Sequence, residues 1–344
     1  MASFDKTPRK NAPLMRALSG ASNAVPPIWM MRQAGRYLPE YRRLRARFPS
    51  FVEFCLTPDA VADATLQPIT RFNLDAAIIF SDILTVPMAL GCRVDFVKDA
   101  GPSVVMPKND ALTPNFCALD RVYEGITLTR GALDARVPLI GFAGMPWTLL
   151  LYMYGTPGEK EFSSARRRAA SFPRDAAALI NALTDACVTH VKNQIDAGVD
   201  VIQLFESWGT LAPLCARAEY CIAPATRIVR EIRAYAPDVP VIWFVKGWGT
   251  QAAETADVVL PDAVGVDYAT PLASVRDKTG LPLQGNLDPY LLFADDETLV
   301  RAVRECIAVM KNRPYIFNLG HGILPETEIS KVELLLRTLR GESG

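Results

Sequence analysis

The sequence lacks a net charge, long apolar runs and a leader-like start, and each absence argues against a class of protein. Its 344 residues carry 37 basic and 37 acidic side chains. No basic face for nucleic acid is therefore expected, and any affinity for anions must be local. No apolar run approaches the roughly 18 residues of a membrane span. The first 20 residues contain no apolar h-region of a secretory signal, which predicts a cytoplasmic protein.

Motifs for metals, phosphates and disulfides are also missing. The chain has no HExxH segment, no Walker A segment and no CxxC pair among its 7 cysteines. It has only 2 histidines, His190 and His321, and neither belongs to a pair with metal-ligand spacing. We therefore expect buried free thiols in a reducing compartment, and no metal site.

Eight short, nearly continuous apolar runs recur along the chain, separated by longer helical segments. Such runs are typical of strands that are covered on both faces. Strands that alternate with helices over this length predict a (β/α)8 TIM barrel, with residues 1–344 as a single domain. The runs are PPIWM (26–30), DAAIIF (75–80), VPLIGF (137–142), VDVIQLF (199–205), VPVIWFV (239–245), AVGVD (263–267), LPLQG (281–285) and YIFN (315–318).

An open doubly wound α/β sheet is the alternative fold. We favour the barrel because eight strands suffice for closure and because no linker divides the chain into halves. Residues 1–20 are expected to be a flexible N-terminal extension. Residues 92–106 predict a β-hairpin insertion after the second strand, with its turn at Asp99 to Gly101.

Three segments carry apolar residues at helical spacing. They cover residues 179–195, 299–310 and 329–339. Gly198 follows the first of them at the position of a helix C-cap. His190 lies inside that segment, so we assign it to structure.

Polar side chains directly follow every predicted strand except the third. One such residue is often only the N-cap of the next helix. Polar residues at so many strand ends indicate more, because the functional residues of a TIM barrel follow the carboxyl ends of its strands. The polar ends are MRQ (31–33), SD (81–82), ESW (206–208), KG (246–247), DY (267–268), GNLD (285–288) and NLGHG (318–322).

A basic segment follows the first predicted strand. Residues 29–48 hold six arginines and one acid. Arg32 and Arg36 are spaced i, i+4, so a helical turn would place both on one face. Their planar guanidinium groups would suit a substrate rich in carboxylates. The other arginines of the segment fit a solvated helix face.

Asp82 follows the second predicted strand. As a structural residue it would cap a helix that begins near Ile83. As a functional residue it would place a carboxylate on the floor of the cavity, flanked by Phe80. Apolar neighbours would raise its pKa, whereas Arg32 and Arg36 would lower it. If the arginines dominate, the carboxylate stays ionised and can stabilise a cation.

Three other candidates follow further predicted strands, His321 and Ser207 directly and Tyr152 within PWTLLLYMYG (146–155). His321 sits between two glycines, which give the backbone freedom but no packing; the alternative is a solvated loop histidine. Tyr152 has the alternative of a packed aromatic residue, and Ser207 that of a helix cap.

The segment KGWGTQA after the fifth strand matches the GxGxxA pattern of a dinucleotide site, and Asp267 follows at about the expected distance. The turn at Leu260 to Asp262 leaves little room for the helix that such a site requires. We therefore regard this match as weak.

Six segments together resemble the uroporphyrinogen decarboxylase family. They occur in the family's order from about Pro26 to the last helix, and the first is long and specific. They are PIWMMRQAGRYLPEYR, FSDIL, GFAGMPWTL, QLFES, QGNLDP and FNLGHGILPET.

The resemblance implies a (β/α)8 barrel that forms a homodimer with facing active-site clefts. It implies a carboxy-lyase that converts uroporphyrinogen to coproporphyrinogen in tetrapyrrole synthesis. The four acetate side chains lose CO2 and become methyl groups, without a cofactor or a metal. The basic entrance would then attract a substrate that carries four acetates and four propionates.

The resemblance also implies roles for individual residues. Arg32 and Arg36 would act with Asp82 as catalytic residues, the arginines binding carboxylates and Asp82 lying at the centre of the bound macrocycle. Tyr154 is the alternative to Tyr152. The implied substrate-binding residues are Gln33, Phe80, Ser81, Tyr152, Ser207 and His321.

As a mechanistic hypothesis, a pyrrole protonated at its α-carbon accepts the electrons that CO2 leaves behind, and Asp82 balances the cation. The proton donor stays open between Arg32 itself and a water or substrate carboxyl relayed through it, because free arginine is a very weak acid.

Three other functions are alternatives for this sequence. A zinc-thiolate methyltransferase of the same fold would need a His-x-Cys pair, which is missing at His190 and His321. A non-catalytic tetrapyrrole carrier would not need Asp82. A dinucleotide-dependent oxidoreductase would depend on the weak glycine motif.

Overall fold

Strands and helices alternate along the described chain. A computed structural model describes residues 9–97 and 100–342, without the side chain of Asn109. The helices are α1 (Pro13–Leu18), α2 (Pro39–Arg45), α3 (Phe51–Cys55), α4 (Pro58–Phe72), α5 (Thr85–Ala89), α6 (Asp120–Ala132), α7 (Pro146–Tyr154), α8 (Ser163–Ser171), α9 (Pro173–Ala197), α10 (Ala223–Tyr235), α11 (Thr250–Glu254), α12 (Ala256–Val259), α13 (Leu272–Arg276), α14 (Asp296–Val309) and α15 (Ile329–Arg340). The strands are β1 (Ala77–Ile78), β2 (Arg93–Val97), β3 (Gly101–Val105), β4 (Leu139–Gly144), β5 (Val201–Glu206), β6 (Val241–Val245), β7 (Ala263–Gly265), β8 (Leu283–Leu287) and β9 (Tyr315–Leu319).

Seven parallel strands form one curled sheet in the order β1-β4-β5-β6-β7-β8-β9. The segment around Ile28 joins its two ends. Ile28 forms a parallel bridge with Phe317 of β9. On its other side, Ile28 O accepts a hydrogen bond of 2.9 Å from the backbone N–H of Asp75, just before β1. This segment is the eighth member of the barrel, and the predicted TIM-barrel fold is confirmed.

The barrel interior changes from apolar to polar along the strands. At the amino-terminal ends, Ile140, Val201 and Ile242 belong to a buried apolar cluster. Higher up, buried amides bond across the interior: Trp29 Nε1 donates to Gln284 Oε1 at 2.9 Å, and Gln284 Nε2 donates to Gln203 Oε1 at 3.0 Å. The strands are buried on both faces, as their nearly continuous apolar sequences predict.

The amino-terminal end of the barrel is covered by α1. Leu14 and Ala17 are fully buried and pack with the apolar cluster at the strand starts. The sequence reasoning placed residues 1–20 in a flexible extension, but residues 9–20 belong to the base of the barrel because this apolar end needs a cover. Residues 1–8 lie outside the described part of the chain.

The predicted helices and the hairpin are also present. The three helical patterns lie in α9, α14 and α15, and Gly198 caps α9 with a φ of 115°. Strands β2 and β3 pair antiparallel from Arg93–Val105 to Val97–Gly101; the predicted turn residue Asp99 lies outside the described residues. After β6, the weak glycine motif leads only into the short helices α11 and α12. None of the helices within residues 9–97 and 100–342 combines the length and apolarity that a membrane crossing needs.

A buried ion network fastens the start of the chain to the barrel base. Asp200, just before β5, accepts from Arg9 Nε at 2.7 Å and from Arg130 at 3.2 Å. It also accepts from the backbone N–H of Leu139 at 2.9 Å. All three charged side chains are almost fully buried, so the carboxylate neutralises two guanidinium groups that are shielded from water.

We predict that Asp200→Ala destabilises the fold by about 3–5 kcal/mol, because it leaves two buried cations without their counter-ion. Urea denaturation of purified protein measures the effect. The matched control is Glu124→Ala, which removes an exposed partner of Arg121 and should cost less than about 1 kcal/mol. Equal midpoints for the two variants would contradict the prediction.

Candidate active site

The carboxyl ends of the barrel strands carry a cluster of polar side chains, which we call the barrel mouth. Charged side chains that follow different strands affect one another's pKa, which shows that they lie close together. Both Asp82 and Arg32 act on the pKa of Tyr152, and both Arg32 and Lys246 act on the pKa of His321. The structure therefore brings together predicted site residues that follow four different strands.

Asp82 is held in a tight turn after β1. Its Oδ1 accepts from the backbone N–H of Leu84 at 2.8 Å, and its carbonyl accepts from the Thr85 hydroxyl. The side chain is only half-buried, yet desolvation raises its pKa; the Leu84 N–H and Arg32 oppose the increase. The effect of burial on the pKa of Asp82 is thus larger than the effect of Arg32. This result is contrary to the alternative in which Arg32 and Arg36 together keep the pKa low, and Arg36 is not among the causes of the shift.

An aromatic cluster explains this desolvation. Phe80 is buried, and its ring centroid lies 4.6 Å from that of Phe54, 5.6 Å from that of Tyr41 and 5.9 Å from that of Phe51. These rings form an apolar wall beside the Asp82 turn. Between Phe80 and Asp82, the buried Ser81 Oγ has no hydrogen-bond partner among the described residues, so the hydrogen-bonding capacity of this hydroxyl is unused.

Arg32 and Arg36 lie in turns, not in a helix. Helix α2 begins only at Pro39, and Arg32 has a left-handed backbone with a φ of 62°. The expected helical turn across Arg32 and Arg36 is therefore wrong, because the chain bends sharply as it leaves the strand. Both side chains are exposed.

The stem of Arg32 lies directly over Gly322. A β-carbon built at Gly322 would overlap Arg32 Cδ and lie 2.9 Å from Arg32 Nε. Similarly, a β-carbon at Gly320 would overlap the backbone of Tyr268. Neither glycine has a positive φ. The two glycines around His321 thus permit close approach, and the predicted role of backbone freedom is wrong.

Gln33 is fully buried beneath the mouth. Its Oε1 accepts from Met30 N at 3.0 Å, and its Nε2 donates to Ala76 O at 3.3 Å. The side chain therefore ties the first barrel segment to the neighbourhood of β1. This placement favours support of Arg32 over direct contact with a ligand.

Tyr152 and Trp208 connect two strand ends. The Trp208 Nε1 lies 3.3 Å from the Tyr152 hydroxyl. Tyr154, the alternative candidate, instead stacks with Arg168, whose guanidinium carbon lies 3.9 Å from the Tyr154 ring centroid. Ser207, half-buried, precedes Trp208 at the end of β5. The structure thus places Tyr152, and not Tyr154, beside the mouth.

His321 is neutral at pH 7. Burial, Lys246 and Arg32 together lower its pKa to about 4. A neutral imidazole has one donor and one acceptor nitrogen, so it can donate or accept a hydrogen bond without adding charge to the mouth. His190, by contrast, is buried in α9 against the Tyr123 hydroxyl at 3.0 Å.

The sequence reasoning missed Glu206, the last residue of β5. It is almost fully buried, one oxygen accepts from the Thr148 hydroxyl, and the other oxygen has no partner among the described residues. Burial raises its pKa to about 8, so it is mostly protonated at neutral pH. Its position in QLFES, between an apolar strand and a polar exit, was the available signal.

Lys246 was also missed, because it was treated as part of the weak glycine motif. It follows β6 directly and is half-buried, and its Nζ lies 5.5 Å from the Trp208 ring centroid.

The part of the chain that the structure describes contains no group of three or more His, Cys, Asp or Glu side chains that could hold a metal ion.

The fold and the mouth define a TIM-barrel protein with a carboxylate set among arginine, lysine and neutral histidine. The sequence profile described as uroporphyrinogen decarboxylase (URO-D) matches residues 9–341, and the chain belongs to this family. A uroporphyrinogen decarboxylase of Sphingopyxis alaskensis is 43% identical over 335 residues, which are 95% of this chain and 98% of that protein. One of Rhizorhabdus wittichii is 43% identical over 341 residues, 97% of this chain and 99% of that protein.

Among solved structures, a methyltransferase from Methanosarcina mazei superposes with a TM-score of 0.78 over 96% of this chain and 97% of that chain. At 17% identity, this likeness shows the barrel fold alone.

We predict that Glu206→Gln removes part of the pH dependence of stability. A carboxyl group whose pKa is higher in the folded protein than in the unfolded chain contributes its full stabilisation at a pH below the pKa of the unfolded chain. This stabilisation is lost as the pH rises through the pKa of the folded protein, which is about 8 for Glu206. Between pH 5 and pH 8.5, the free energy of unfolding of the wild type should therefore fall by on the order of a few kcal/mol more than that of the variant. Thermal unfolding across this range measures it.

The control for this experiment is Glu53→Gln, a substitution at an exposed carboxylate in α3. Its melting temperatures should follow those of the wild type at each pH. If the Glu206→Gln curve also runs parallel to the wild type, a raised pKa at Glu206 is refuted.

Proposed function

We propose that the protein is a uroporphyrinogen decarboxylase that converts the four acetate side chains of uroporphyrinogen III to methyl groups and yields coproporphyrinogen III, without a cofactor. The relatives of that name cover nearly the whole chain. The observation that carries the assignment is Asp82: a carboxylate in a tight turn beside an apolar wall, with Arg32 as the neighbouring cation.

The chemistry requires a site for positive charge. Loss of CO2 from an acetate leaves an electron pair on the CH2 group, and a pyrrole protonated at its α-carbon can accept it. Asp82 would accept hydrogen bonds from the pyrrole N–H groups and balance the protonated ring, and both interactions would favour its ionised form against the burial that raises its pKa. Because the carboxylate is already desolvated and fixed by Leu84 N–H, it needs little reorganisation when the charge develops.

The remaining predicted residues have roles that their positions support. Arg32 and Arg36, both exposed after the first strand segment, would bind substrate carboxylates. The neutral His321 would offer a hydrogen bond without repelling the substrate cation. The proposed substrate-binding set is completed by Gln33, Phe80, Ser81, Tyr152 and Ser207, with Gln33 acting through Arg32.

The assembly is also part of the proposal. We infer a homodimer in which the mouths face each other. Exposed apolar side chains in loops after β5, β7 and β8 support it: Leu214, Tyr268 and Tyr290 lie on the side of the mouth, where a partner would cover them. Sedimentation velocity tests this assembly. A single domain and a cytoplasmic location likewise stay predictions.

Release of CO2 from anaerobically reduced uroporphyrin tests the function, and Asp82→Asn tests its centre. The asparagine oxygen can still accept from Leu84 N–H, so the fold should persist, but the negative charge is lost. We expect kcat to fall by about 100-fold or more with an unchanged melting temperature. The control Asp295→Asn alters a similar cap on α14 and should keep full turnover. An Asp82→Asn variant with wild-type activity would exclude the proposed role.

Gly322→Ala tests the position of Arg32. The added methyl group meets the flexible stem of Arg32 and not backbone, so Arg32 should shift while the fold stays intact. We expect kcat/KM for uroporphyrinogen to fall by about tenfold or more, since small displacements of a positioning group are costly. Gly280→Ala is the control, because a β-carbon there meets nothing within 4 Å. Equal kcat/KM values for the two variants would count against an Arg32 contact.

A further inference from the structure

The backbone around Lys246 is held in place by hydrogen bonds where the chain leaves β6. Its backbone N–H donates to Glu206 O at 3.0 Å, which continues the pairing of β5 with β6. The next residue, Gly247, donates its N–H to Asp267 Oδ2 at 2.6 Å. The backbone on both sides of the Lys246 side chain is thus fixed by neighbouring strands, as a preorganised binding group requires.

The ammonium group of Lys246 forms no ion pair with an acidic residue in the described part of the chain. Ion pairs of lysine within the described residues involve Lys192, Lys278 and Lys331, and not Lys246. The acid that acts on it, Asp267, already accepts backbone N–H groups on both oxygens, from Gly247 and from Ala269 at 2.8 Å. The ammonium faces the Trp208 ring, with 5.5 Å between Nζ and the ring centroid.

Lys246 shares the mouth with a second cation, Arg32. Burial is the main cause that lowers the pKa of Lys246; Asp267 opposes it, and Arg32 adds a smaller decrease. Lys246 and Arg32 also act together on His321. Two cations that influence each other in a half-buried mouth, with Asp267 engaged elsewhere, are stabilised when an anion arrives.

The position of Lys246 complements that of the other charged residues. In the sheet order β1-β4-β5-β6, it lies three strands round the barrel from Asp82, whereas Arg32 and Arg36 follow the segment on the other side of β1. A macrocycle with acidic side chains around its whole edge, centred on Asp82, would present carboxylates to both sides of the mouth.

We propose that Lys246 binds a side-chain carboxylate of the tetrapyrrole substrate, on the side of the barrel mouth opposite Arg36. This inference rests on the proposed function. It adds a binding residue in the segment that resembled a dinucleotide motif. The Trp208 face beneath the ammonium would keep water away from the ion pair and so strengthen it.

The test uses Lys246→Met, which keeps the apolar stem over Trp208 and removes the charge, and Lys246→Arg, which keeps the charge. The matched control is Lys278→Gln, which removes the charge of an exposed lysine paired with Glu254. We would measure kcat and KM for uroporphyrinogen III, and the Kd of coproporphyrinogen III by fluorescence quenching under anaerobic conditions, at two salt concentrations.

We expect KM of Lys246→Met to rise about tenfold or more, as for loss of a charge-assisted hydrogen bond, and to depend less on salt than in the wild type. Lys246→Arg should recover most of the loss. A matching loss in coproporphyrinogen affinity assigns the contact to a propionate, which the product retains; an unchanged product Kd assigns it to an acetate. Both results support the proposal.

A Lys246→Met enzyme with the KM, salt dependence and product Kd of Lys278→Gln would overturn the proposal while the decarboxylase function stands. A wild-type protein that releases no CO2 would overturn the proposed function, and the Lys246 contact with it. Because Lys246 makes no ion pair with any residue that the structure describes, both variants should keep the wild-type melting temperature. If Lys246→Met does not fold, Lys246→Gln decides, because it also removes the charge: a raised KM with a weaker salt dependence supports the contact, and the KM and salt dependence of Lys278→Gln refute it.

Discussion

The site depends on how the barrel closes. Seven strands form a continuous sheet, but the eighth position is filled only by the short segment around Ile28, which bonds to β9 on one side and to Asp75 on the other. Asp75 holds both polar groups of Ile28, since its carboxylate also accepts from Ile28 N–H at 2.9 Å. The sharp turn at Arg32 follows at once. Without this closure the arginine would have no fixed relation to Asp82.

The side chains inside the barrel become more polar from the amino-terminal to the carboxyl ends of the strands. Apolar side chains fill the base, amides bond to one another in the middle, and Asp82 lies at the mouth. This order keeps the charge where water or a ligand can reach it, because a buried charge without a partner is costly. Asp200 at the base is the exception, and it is buried only together with two arginines.

The strands and the larger helices could be predicted from the sequence, because burial on both faces and helical amphipathicity leave direct patterns of apolar residues. Polar residues after the predicted strands supplied most of the candidate residues, and the resemblance to a family supplied their roles. Local spacing failed at Arg32 and Arg36, where the helix begins only at Pro39 and Arg32 adopts a left-handed backbone. It failed again at Gly322, where glycine is required because the stem of Arg32, which follows another strand, packs directly against it.

Glu206 and Lys246 show the limit of sequence reasoning most clearly. Each belongs to a short polar exit that could serve as a helix cap, and a position directly after an apolar strand is the only local signal that either residue offers. Their properties arise from contacts between strands: the Thr148 hydroxyl on α7 meets Glu206, and the Trp208 ring from β5 faces Lys246. Such pairings follow from barrel geometry, which a linear pattern does not contain.

Both ends of the described chain lie at the base of the barrel. Arg9 is fixed beside Asp200, and Arg340 donates to Phe72 O at 3.1 Å, just before β1. Labels or a solid support coupled near either end of the described chain would therefore lie on the face opposite the barrel mouth. The fold offers two attachment regions that leave the mouth clear, which suits surface-coupled sensors and immobilised reactors.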